Sequence, residues 1–498
     1  MTTVSEKQQK TEHRSQPLGE AFRNFIATGW DVHARQNPPR AEVAVYTATR
    51  REQVSTAFPG ERLVIPAGGL KVRSNDTDYI FRPHSAFTYL TGLGSNREPD
   101  AVLVLEPSEG GGHDAVLFFR PLAGRNTEEF FADSRYGEFW VGARPMFEEI
   151  EAELGVLTRH IDEFKEAVAK DAETVVVRVV RNADVDVTEQ VDQVRSAEDE
   201  QLIKADQELA RFLSTLRLIK DEWEIEQMRA AVAATAHGFE AAIENLPEAV
   251  RRGRGERWIE GVFELYARHE GNGIGYGSIC AAGDHANTLH WITNTGELRE
   301  KDLILIDAGV EVNSLYTADI TRTLPASGTF SDVQRKVYNA VFAAQEAGIA
   351  AVKPGNKFSA VHAAAIRVIA EYLHEWGLLP EGVDVEATLD EKTGQFHRRW
   401  MVHSTSHHLG LDVHDCVLAR KEDYLDAALQ PGMILTVEPG LYFKADDELA
   451  PSEFRGIGVR IEDDVLVTAN GCKNLSTTIP RSSTDVEAWI ARTWDSNA

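Results

Sequence analysis

The sequence predicts an α+β protein of two domains, in which the second domain holds the polar clusters. The chain has 498 residues, more than a single hydrophobic core usually serves. Short apolar runs that favour strands alternate with amphipathic patterns that favour helices along both halves. A strongly acidic stretch with few aromatic residues, residues 181–212, separates the halves. We therefore expect a smaller N-terminal α/β domain followed by a larger C-terminal domain.

The first half of the chain divides into an extension and a domain. Residues 1–38 form a charged extension that ends in Asn37-Pro38-Pro39, and residues 39–212 form the N-terminal α/β domain with its acidic linker helix. Turn-forming residues separate three predicted strands, at 62–66, 101–107 and 115–121. The acidic stretch is either a solvated helix that joins the domains or a surface that binds a partner.

Residues 213–498 form the second domain. The run LRLIKDEWEIEQMRAAVAATAHGFEAAI, which starts at Leu216, predicts one long amphipathic helix. Further helices are predicted at 332–351 and 358–376. Between the helices lie short strands with polar residues at their ends, which are positions where a site can be built.

The formal net charge of −27 argues against partners that need a basic protein surface. Nucleic acids and anionic membranes both bind through clusters of lysine and arginine, so neither is expected. No apolar run approaches the roughly 20 residues that span a bilayer, and the polar N-terminus lacks the apolar core of a signal peptide. Three widely spaced cysteines suit a reducing compartment without disulfides. We expect a cytoplasmic protein.

Two aspartates flank a predicted hairpin. Residues 302–309 are typical of a buried strand that ends in Asp307 and a turn of small residues. Asp319 lies on the return arm, where Thr321 and Thr323 share its face because alternate side chains of a strand point the same way. Each aspartate alone also fits a turn or an exposed strand position. Together they can chelate or bridge metal ions.

Four histidines, His403, His407, His408 and His414, fall within twelve positions. Two histidines four residues apart on a helix often bind zinc. Here the serine, threonine and glycine residues between them favour an irregular or extended segment instead. We expect one histidine to be a metal ligand and others to contact substrate or solvent, and we assign His408 a structural role.

Two glutamates complete the set. Glu438 follows a short predicted strand and precedes a Pro-Gly pair that ends the strand. Arg460 and Glu462 lie two residues apart in a predicted strand at 459–467, so both side chains point to one face. Arg460 either orients the metal-bound glutamate or forms a surface ion pair.

Four carboxylates and one imidazole are therefore candidates to bind metal. Buried carboxylates need cations as partners, and this set can neutralise two divalent ions. Carboxylate oxygens without thiolates favour hard or borderline ions. The candidates are Asp307, Asp319, His407, Glu438 and Glu462. The sequence points to a hydrolase with two metal ions.

The strings that hold these residues resemble the aminopeptidase P family, whose relatives include methionine aminopeptidase, prolidase and creatinase. The strings are NTLHW (287–291), LIDAG with ADITRT, HSTSHHLGLDVHD, TVEPGLY and GIGVRIEDD. Residues 75–93 and 216–229 resemble the family's N-terminal domain and its domain junction. The resemblance covers about residues 40–480 and implies the pita-bread fold for the C-terminal domain.

The resemblance implies a role for each metal ligand. Asp307 would chelate one ion, and Asp319 and Glu462 would bridge both. His407 and Glu438 would complete the ligands of the second ion. The family usually holds Mn²⁺, so two Mn²⁺ ions per subunit are expected, with Zn²⁺ or Co²⁺ as alternatives.

The resemblance also implies roles around the metal ions. His290 and His414 would line the substrate site and stabilise the tetrahedral intermediate, and His403 would lie near it as a proton shuttle. Glu438 is the candidate to move a proton from water to the leaving nitrogen.

The implied activity is that of an Xaa-Pro aminopeptidase, which releases the N-terminal residue from peptides with proline in the second position. Peptides are then the expected partners, and a homodimer or homotetramer is expected by analogy. The alternatives are a prolidase limited to Xaa-Pro dipeptides, a metal-free enzyme like creatinase, and a non-catalytic peptide- or protein-binding module. Retention of all five ligand types argues against the last two.

Overall fold

The computed structural model describes residues 19–31, 35–75, 77–195 and 200–495. The chain forms two compact units. The first contains the described residues of Met1–Leu70 and Glu98–Glu198, and the second those of Lys71–Arg97 and Asp199–Ala498. The boundaries predicted at residues 39 and 213 remain predictions. Residues 1–18 of the predicted extension lie outside the described residues.

The first unit is built on a five-stranded sheet. Its strands, in spatial order, are Leu157–His160, His113–Phe119, Val102–Pro107, Arg62–Pro66 and Val177–Val179. The three central strands are antiparallel and both outer strands pair in parallel. The three predicted strands are confirmed to within two residues. Valines and phenylalanines such as Val64, Val104 and Phe118 fill the core on one face.

Helices flank this sheet, and the acidic stretch contributes to the packing. The helices of the unit are Glu20–Ile26, Val43–Ala57, Glu129–Ala132, Glu138–Val141, Phe147–Leu154, Phe164–Ala169 and Val185–Val194, with a 3₁₀ turn at Ile161–Glu163. Val187 and Val191 from the acidic stretch lie in the core. This part of the stretch is therefore not a wholly solvated linker.

The second unit contains most of the helices. They are Ser85–Thr91, Glu200–Leu216, Glu222–Glu244, Leu246–Arg252, Gly255–Glu270, Asp332–Ala351, Ser359–Glu375, Val385–Leu389, Lys421–Tyr424 and Ser483–Asp495, with 3₁₀ turns at Gly283–Asn287 and Phe396–Arg399. The helices predicted at 332–351 and 358–376 are confirmed. The single helix predicted from Leu216 is wrong at its start, because Asp221 caps a new helix by accepting a hydrogen bond from the Glu224 amide.

Short antiparallel ladders carry the polar clusters of the second unit. Their strands are Val72–Ser74, Thr77–Asp78, Gly273–Ile274, Ile279–Ala282, Leu303–Ala308, Val310–Glu311, Ile320–Pro325, Ile434–Val437, Gly440–Phe443, Ile457–Arg460, Asp463–Thr468 and Gly471–Asn474. One sheet orders the strands 320–325, 303–308 and 279–282, and another orders 434–437, 463–468 and 471–474. Helices and antiparallel sheets are thus mixed, as the α+β class requires.

A helix that crosses a bilayer needs about 20 predominantly apolar residues. Among the described residues, no helix is both long enough and apolar enough to cross a membrane.

Candidate metal centre

One sheet brings the two predicted aspartates together. Asp307 lies near the end of the strand Leu303–Ala308, and Asp319 immediately precedes the antiparallel strand Ile320–Pro325. The hydroxyl oxygen of Tyr276 lies 2.8 Å from Asp307 Oδ1 and 2.5 Å from Asp319 Oδ1. A single phenol therefore bridges the two carboxylates that the hairpin presents.

His407 and Glu438 lie close to Asp319. His407 Nε2 is 3.3 Å from Asp319 Oδ2 and 3.7 Å from Glu438 Oε1. His407 Nδ1 lies 3.2 Å from the carbonyl oxygen of His408, so the tautomer that donates this bond leaves Nε2 free to bind a metal ion. Residues 403–414, all of them described, are irregular rather than helical, as predicted.

The prediction of one strand at 459–467 is wrong. The strand Ile457–Arg460 ends, and a second strand, Asp463–Thr468, begins after a break of two residues. The two strands pair with different neighbours, so the chain passes from one ladder to another at Glu462. The side chains of Arg460 and Glu462 nevertheless reach the same cavity.

Arg460 binds Asp307 and not Glu462. The guanidinium of Arg460 donates Nη2–H to Asp307 Oδ2 and lies 3.2 Å from both Thr321 Oγ1 and the Tyr442 hydroxyl. Thr321 in turn donates its hydroxyl to Glu462 Oε2 at 2.7 Å. The expectation that Arg460 orients Glu462 is therefore corrected: Arg460 orients Asp307, and Thr321 orients Glu462.

All of the predicted site residues line one cavity of about 500 Å³. These residues are Asp307, Asp319, His407, Glu438, Glu462, His290, His403, His414 and Arg460. Within the cavity, one ligand atom each of Asp319, His407 and Glu462 lies within 4.8 Å of the other two. Asp307 and Glu438 adjoin this group of three through Tyr276 and His407.

The carboxylates of the cavity carry more negative charge than the protein compensates. Burial, and then the charges of the neighbouring carboxylates, raise the pKa of Glu462 well above its usual range. Burial raises the pKa of Asp307 against the attraction of Arg460. Burial also raises the pKa of Glu438 to about 7, although His407 and Arg460 oppose it. The four carboxylates therefore need additional positive charge to be ionised together.

Divalent cations fit this requirement. Burial lowers the pKa of His407, but the Asp319 carboxylate outweighs that effect and raises it to about 9. A metal ion would displace that proton and supply the charge that the carboxylates lack. Four carboxylate side chains and one imidazole nitrogen suit two hard or borderline divalent ions.

Two further histidines, His414 and His403, lie beside the candidate metal ligands. His414 packs edge-on against His407, with ring centroids 4.5 Å apart. His403 Nδ1 lies 3.7 Å from Glu438 Oε2, and its Nε2 lies 2.7 Å from the Tyr442 hydroxyl. Burial and then Arg460 lower the pKa of His403 to about 3, so its ring is neutral.

His290 and His408 have opposite environments. His290 is exposed to the cavity that holds the ligands. His408 is fully buried and stacks on Phe358, with ring centroids 4.9 Å apart. His408 therefore has the structural role that the sequence predicted for it.

Two side chains of the candidate site were missed by the sequence analysis. Tyr276 bridges the aspartates, and Tyr442 links His403 to Arg460. Tyr442 lies in the TVEPGLY string, four residues after Glu438, so its position near the site was a usable signal. Tyr276 stands in a loop that has no metal-ligating residue, and no sequence signal singles it out.

Comparison with known proteins gives a consistent picture over nearly the whole chain. Residues 226–469 match the metallopeptidase family M24, and residues 47–178 match the N-terminal domain of aminopeptidase P. Xaa-Pro aminopeptidase 1 of Streptomyces coelicolor is 51% identical over 467 residues, which cover 94% of this chain and 91% of that protein. The Xaa-Pro aminopeptidase of Escherichia coli is 33% identical over 460 residues, with coverages of 90% and 98%.

Solved structures of aminopeptidase P agree with these sequence matches. Pseudomonas aeruginosa aminopeptidase PepP superposes with a TM-score of 0.79 at 31% identity, covering 92% of this chain and 99% of that chain. Escherichia coli aminopeptidase P in complex with substrate gives a TM-score of 0.78 at 30% identity, with coverages of 92% and 100%. The predicted α+β class, with a smaller N-terminal domain followed along the chain by a pita-bread C-terminal domain, is confirmed.

Proposed function

Because the chain belongs to the aminopeptidase P family of metallopeptidases, we propose that it releases the N-terminal residue from peptides whose second residue is proline. The observation that carries this function is the convergence of four carboxylates and one imidazole in one cavity, with three further histidines around them. A family member without catalysis would have no need to keep this costly concentration of buried charge.

The metal ligands would be Asp307, Asp319, His407, Glu438 and Glu462, and the ions two Mn²⁺ per subunit. Oxygen donors dominate the set, and no thiolate is among the described residues that line the cavity, which supports Mn²⁺ and leaves Zn²⁺ and Co²⁺ as alternatives. When bound, such ions lower the pKa of water toward neutrality and polarise the scissile carbonyl. Metal analysis of the purified protein, before and after chelation, tests both the identity and the count.

The chain's own residues hold and move protons around this centre. Glu438 lies beside His407 and His403 in the cavity, which supports the proposal that its carboxylate accepts a proton from water and releases it to the leaving proline nitrogen. His403 lies next to Glu438, which supports the proposal that it is a proton shuttle for that carboxylate. Arg460 holds the Asp307 carboxylate in place by a charge-assisted hydrogen bond.

Two histidines stabilise the reacting carbonyl. Burial and then the neighbouring His407 lower the pKa of His414, so its ring is a neutral hydrogen-bond donor. His290 faces the same cavity from the loop that follows the strand Ile279–Ala282. Both imidazoles can donate to the oxygen that becomes negatively charged in the tetrahedral intermediate.

Apolar side chains of the cavity suit the proline ring. The bond before proline is a tertiary amide that has no N–H, so recognition depends on the shape of the ring and on the free amine of the first residue. Leu289, Ile292 and Val413 line the cavity beside the polar residues. These side chains give the ring an apolar surface, while the carboxylates attract the amine.

A series of peptides of increasing length tests this function against prolidase. An aminopeptidase of this kind cleaves Xaa-Pro-Yaa peptides and longer ones in the presence of Mn²⁺, whereas a prolidase cleaves only Xaa-Pro dipeptides. Glu438→Gln, assayed with its metal content measured, tests the proton transfer separately. Turnover at the wild-type rate with full metal occupancy would remove Glu438 from that role.

We also propose a homodimer or homotetramer, supported by an exposed aromatic patch on the first unit. The side chains of the patch are Phe22, Phe25, Trp30, Phe139 and Trp140, with exposures between 40% and 77%. Within this surface, the ring of Phe22 packs edge-on against Phe131, and that of Trp30 packs edge-on against Phe139. Its roughly 550 Å² of aromatic surface approaches the ~800 Å² per partner of a standard interface. A second copy of the chain would cover it.

Light scattering coupled to size exclusion tests this association. The wild-type chain should elute as an oligomer, and Phe25→Asp with Trp140→Asp should shift it toward the monomer while the fold is retained. A wild-type monomer at micromolar concentration would contradict the proposal. The cytoplasm is the proposed location, supported by three cysteines that form no disulfide.

A further inference from the structure

His290 depends on its loop for its position. Among the described residues, no side chain hydrogen-bonds the His290 imidazole, and the contact that anchors the residue is a bond from the Ile292 amide to the His290 carbonyl oxygen, at 3.0 Å. The same loop presents Leu289 and Ile292 to the cavity. Whatever holds residues 283–296 therefore sets where His290 and this apolar wall lie.

A fully buried carboxylate outside the cavity holds that loop. Glu256 is the second residue of the helix Gly255–Glu270 and has no exposed surface. Four groups of the loop and its flanks surround its two oxygens. They are the Ala282 amide at 2.8 Å and His285 Nδ1 at 2.7 Å from Oε1, and Trp291 Nε1 at 2.9 Å and the Gly296 amide at 2.5 Å from Oε2.

The chemistry of the carboxylate matches these four contacts. An ionised carboxylate offers about four lone-pair positions, and each oxygen of Glu256 meets two donors when His285 carries its proton on Nδ1. The first turn of a helix also favours negative charge because its amides point toward it. Glu256 thus ties both ends of the loop, at residues 282 and 296, and its middle, at Trp291, to one point.

Neighbouring contacts leave the loop little freedom elsewhere. The rings of His285 and Trp291 stack with centroids 3.9 Å apart. Asn294, which is fully buried, accepts the Cys280 amide at 2.9 Å and donates to the Ser278 carbonyl at 2.8 Å. His290 lies between the Glu256 contacts at Trp291 and His285, so a shift at Glu256 is transmitted to it directly.

We propose that Glu256 is a positioning residue for the peptidase reaction: it fixes the 283–296 loop so that the His290 imidazole faces the scissile bond. This rests on the proposed function, because it gives His290 a part in catalysis. Glu256 itself does not line the cavity, and the four hydrogen bonds that hold the loop reach no metal ligand. Its effect passes through the loop.

The test is a double-mutant cycle between Glu256→Gln and His290→Ala. In Glu256→Gln, one carboxylate oxygen becomes an NH₂ group. Whichever way the new amide turns, this NH₂ group faces two hydrogen-bond donors of the loop that the carboxylate had accepted, and the loop shifts because two donors repel each other. A displacement of about 1 Å at a reacting group costs roughly 10²-fold, and loss of a supporting contact 10–100-fold. We expect Glu256→Gln to lower kcat/KM about 10–100-fold with the metal content per subunit unchanged, and to have less than about a 3-fold effect when His290 is already Ala.

Other outcomes distinguish failure of the inference about Glu256 from failure of the proposed function. If Glu256→Gln lowers kcat/KM by the same factor in both backgrounds, Glu256 acts by general stability and the inference is overturned. If His290→Ala alone leaves kcat/KM unchanged, the role of His290 fails and the inference with it. If the wild-type enzyme cleaves no Xaa-Pro-Yaa peptide, the proposed function fails, whatever the variants do.

A milder variant and a matched control keep the test decisive. Trp291→Phe removes one donor to Glu256 and preserves an aromatic ring, so it should lower kcat/KM about 3–10-fold and again lose that effect beside His290→Ala. It serves if Glu256→Gln does not fold. Glu264→Gln, the same substitution at an exposed position of the same helix, should leave kcat/KM, metal content and Tm unchanged.

Discussion

Substitution of Arg322 by Met should strongly destabilise the fold, because this arginine joins the two strands that begin directly after the candidate metal ligands Asp319 and Glu462. Arg322 has no exposed surface and all five of its guanidinium N–H groups are bonded. Nη2 donates to Asp463 Oδ1 at 2.7 Å, and Nη1 donates to the carbonyl oxygen of Glu462 at 2.6 Å. The remaining bonds, at 2.8 Å, go to the carbonyl oxygens of Thr321, Ile479 and Pro480.

The magnitude follows from these contacts. Removing one member of a buried ion pair costs about 3–5 kcal/mol, since the other charge remains buried. Asp463 keeps Arg481 Nε at 3.1 Å and Asn474 Nδ2 at 2.7 Å, which limits that cost. The four buried carbonyl oxygens that lose a donor add to it. We expect Arg322→Met to lower the free energy of unfolding by about 4 kcal/mol, or Tm by roughly 6 °C.

Chemical denaturation of the metal-free protein measures the free energy, and a thermal scan measures Tm. Arg367→Met is the matched control, because Arg367 pairs with Glu386 on the surface, where solvent screens the attraction, and should contribute little to stability. Arg322→Lys should fall between the two, since lysine keeps the charge but not the planar set of donors. If Arg322→Met destabilised the protein no more than Arg367→Met, the buried network would not hold the strands as described.

Three further outcomes are expected. Asp319→Asn should lower the metal content measured by mass spectrometry, because Asp319 belongs to the closest ligand group, and full occupancy would contradict this. Tyr442→Phe should lower kcat/KM about 10-fold, with Tm nearly unchanged, because its hydroxyl contacts His403 and Arg460; wild-type kcat/KM would contradict this. Burial raises the folded-state pKa of Glu438 from 4.5 to about 7. Between these two pH values the metal-free folded protein binds more protons than the unfolded chain, so its stability falls as the pH rises from about 4.5 to about 7. The rise in Tm on adding Mn²⁺ should therefore be larger at pH 8 than at pH 5.5, and equal shifts would refute the reasoning.

The residues of the candidate metal centre could be located from the sequence because each stands where a local pattern changes. Asp307 ends a run of apolar residues and precedes small ones, and Glu438 ends a short strand before Pro439. Such positions are visible without knowledge of the partners. The irregular segment around His407 was also predictable, since serine, threonine and glycine disfavour a helix there.

The partners of these ligands could not be predicted in the same way. Tyr276 reaches Asp319 across 43 positions, and Arg322 reaches Pro480 across 158. Such contacts depend on the register of strands and on loops whose path no local pattern fixes. Glu256 was missed for the same reason, because a glutamate in the first turn of a helix is ordinarily a solvated residue that favours the helix end.

Two neighbouring stretches of chain break at the same level, and this explains why the structure departs from the continuous strand predicted at 459–467. Val437 pairs with Asp463, and Gly440 pairs with Arg460, so both strands break at the same level. Proline at position 439 has no N–H to donate to a ladder, which favours a break there. The Glu462 amide bonds to the Thr321 carbonyl oxygen instead, at 3.1 Å. The break therefore frees Glu438 and Glu462 from the regular alternation of a strand, and it places Glu462 against the strand that follows Asp319, while the Glu438 amide bonds to the Thr405 carbonyl oxygen.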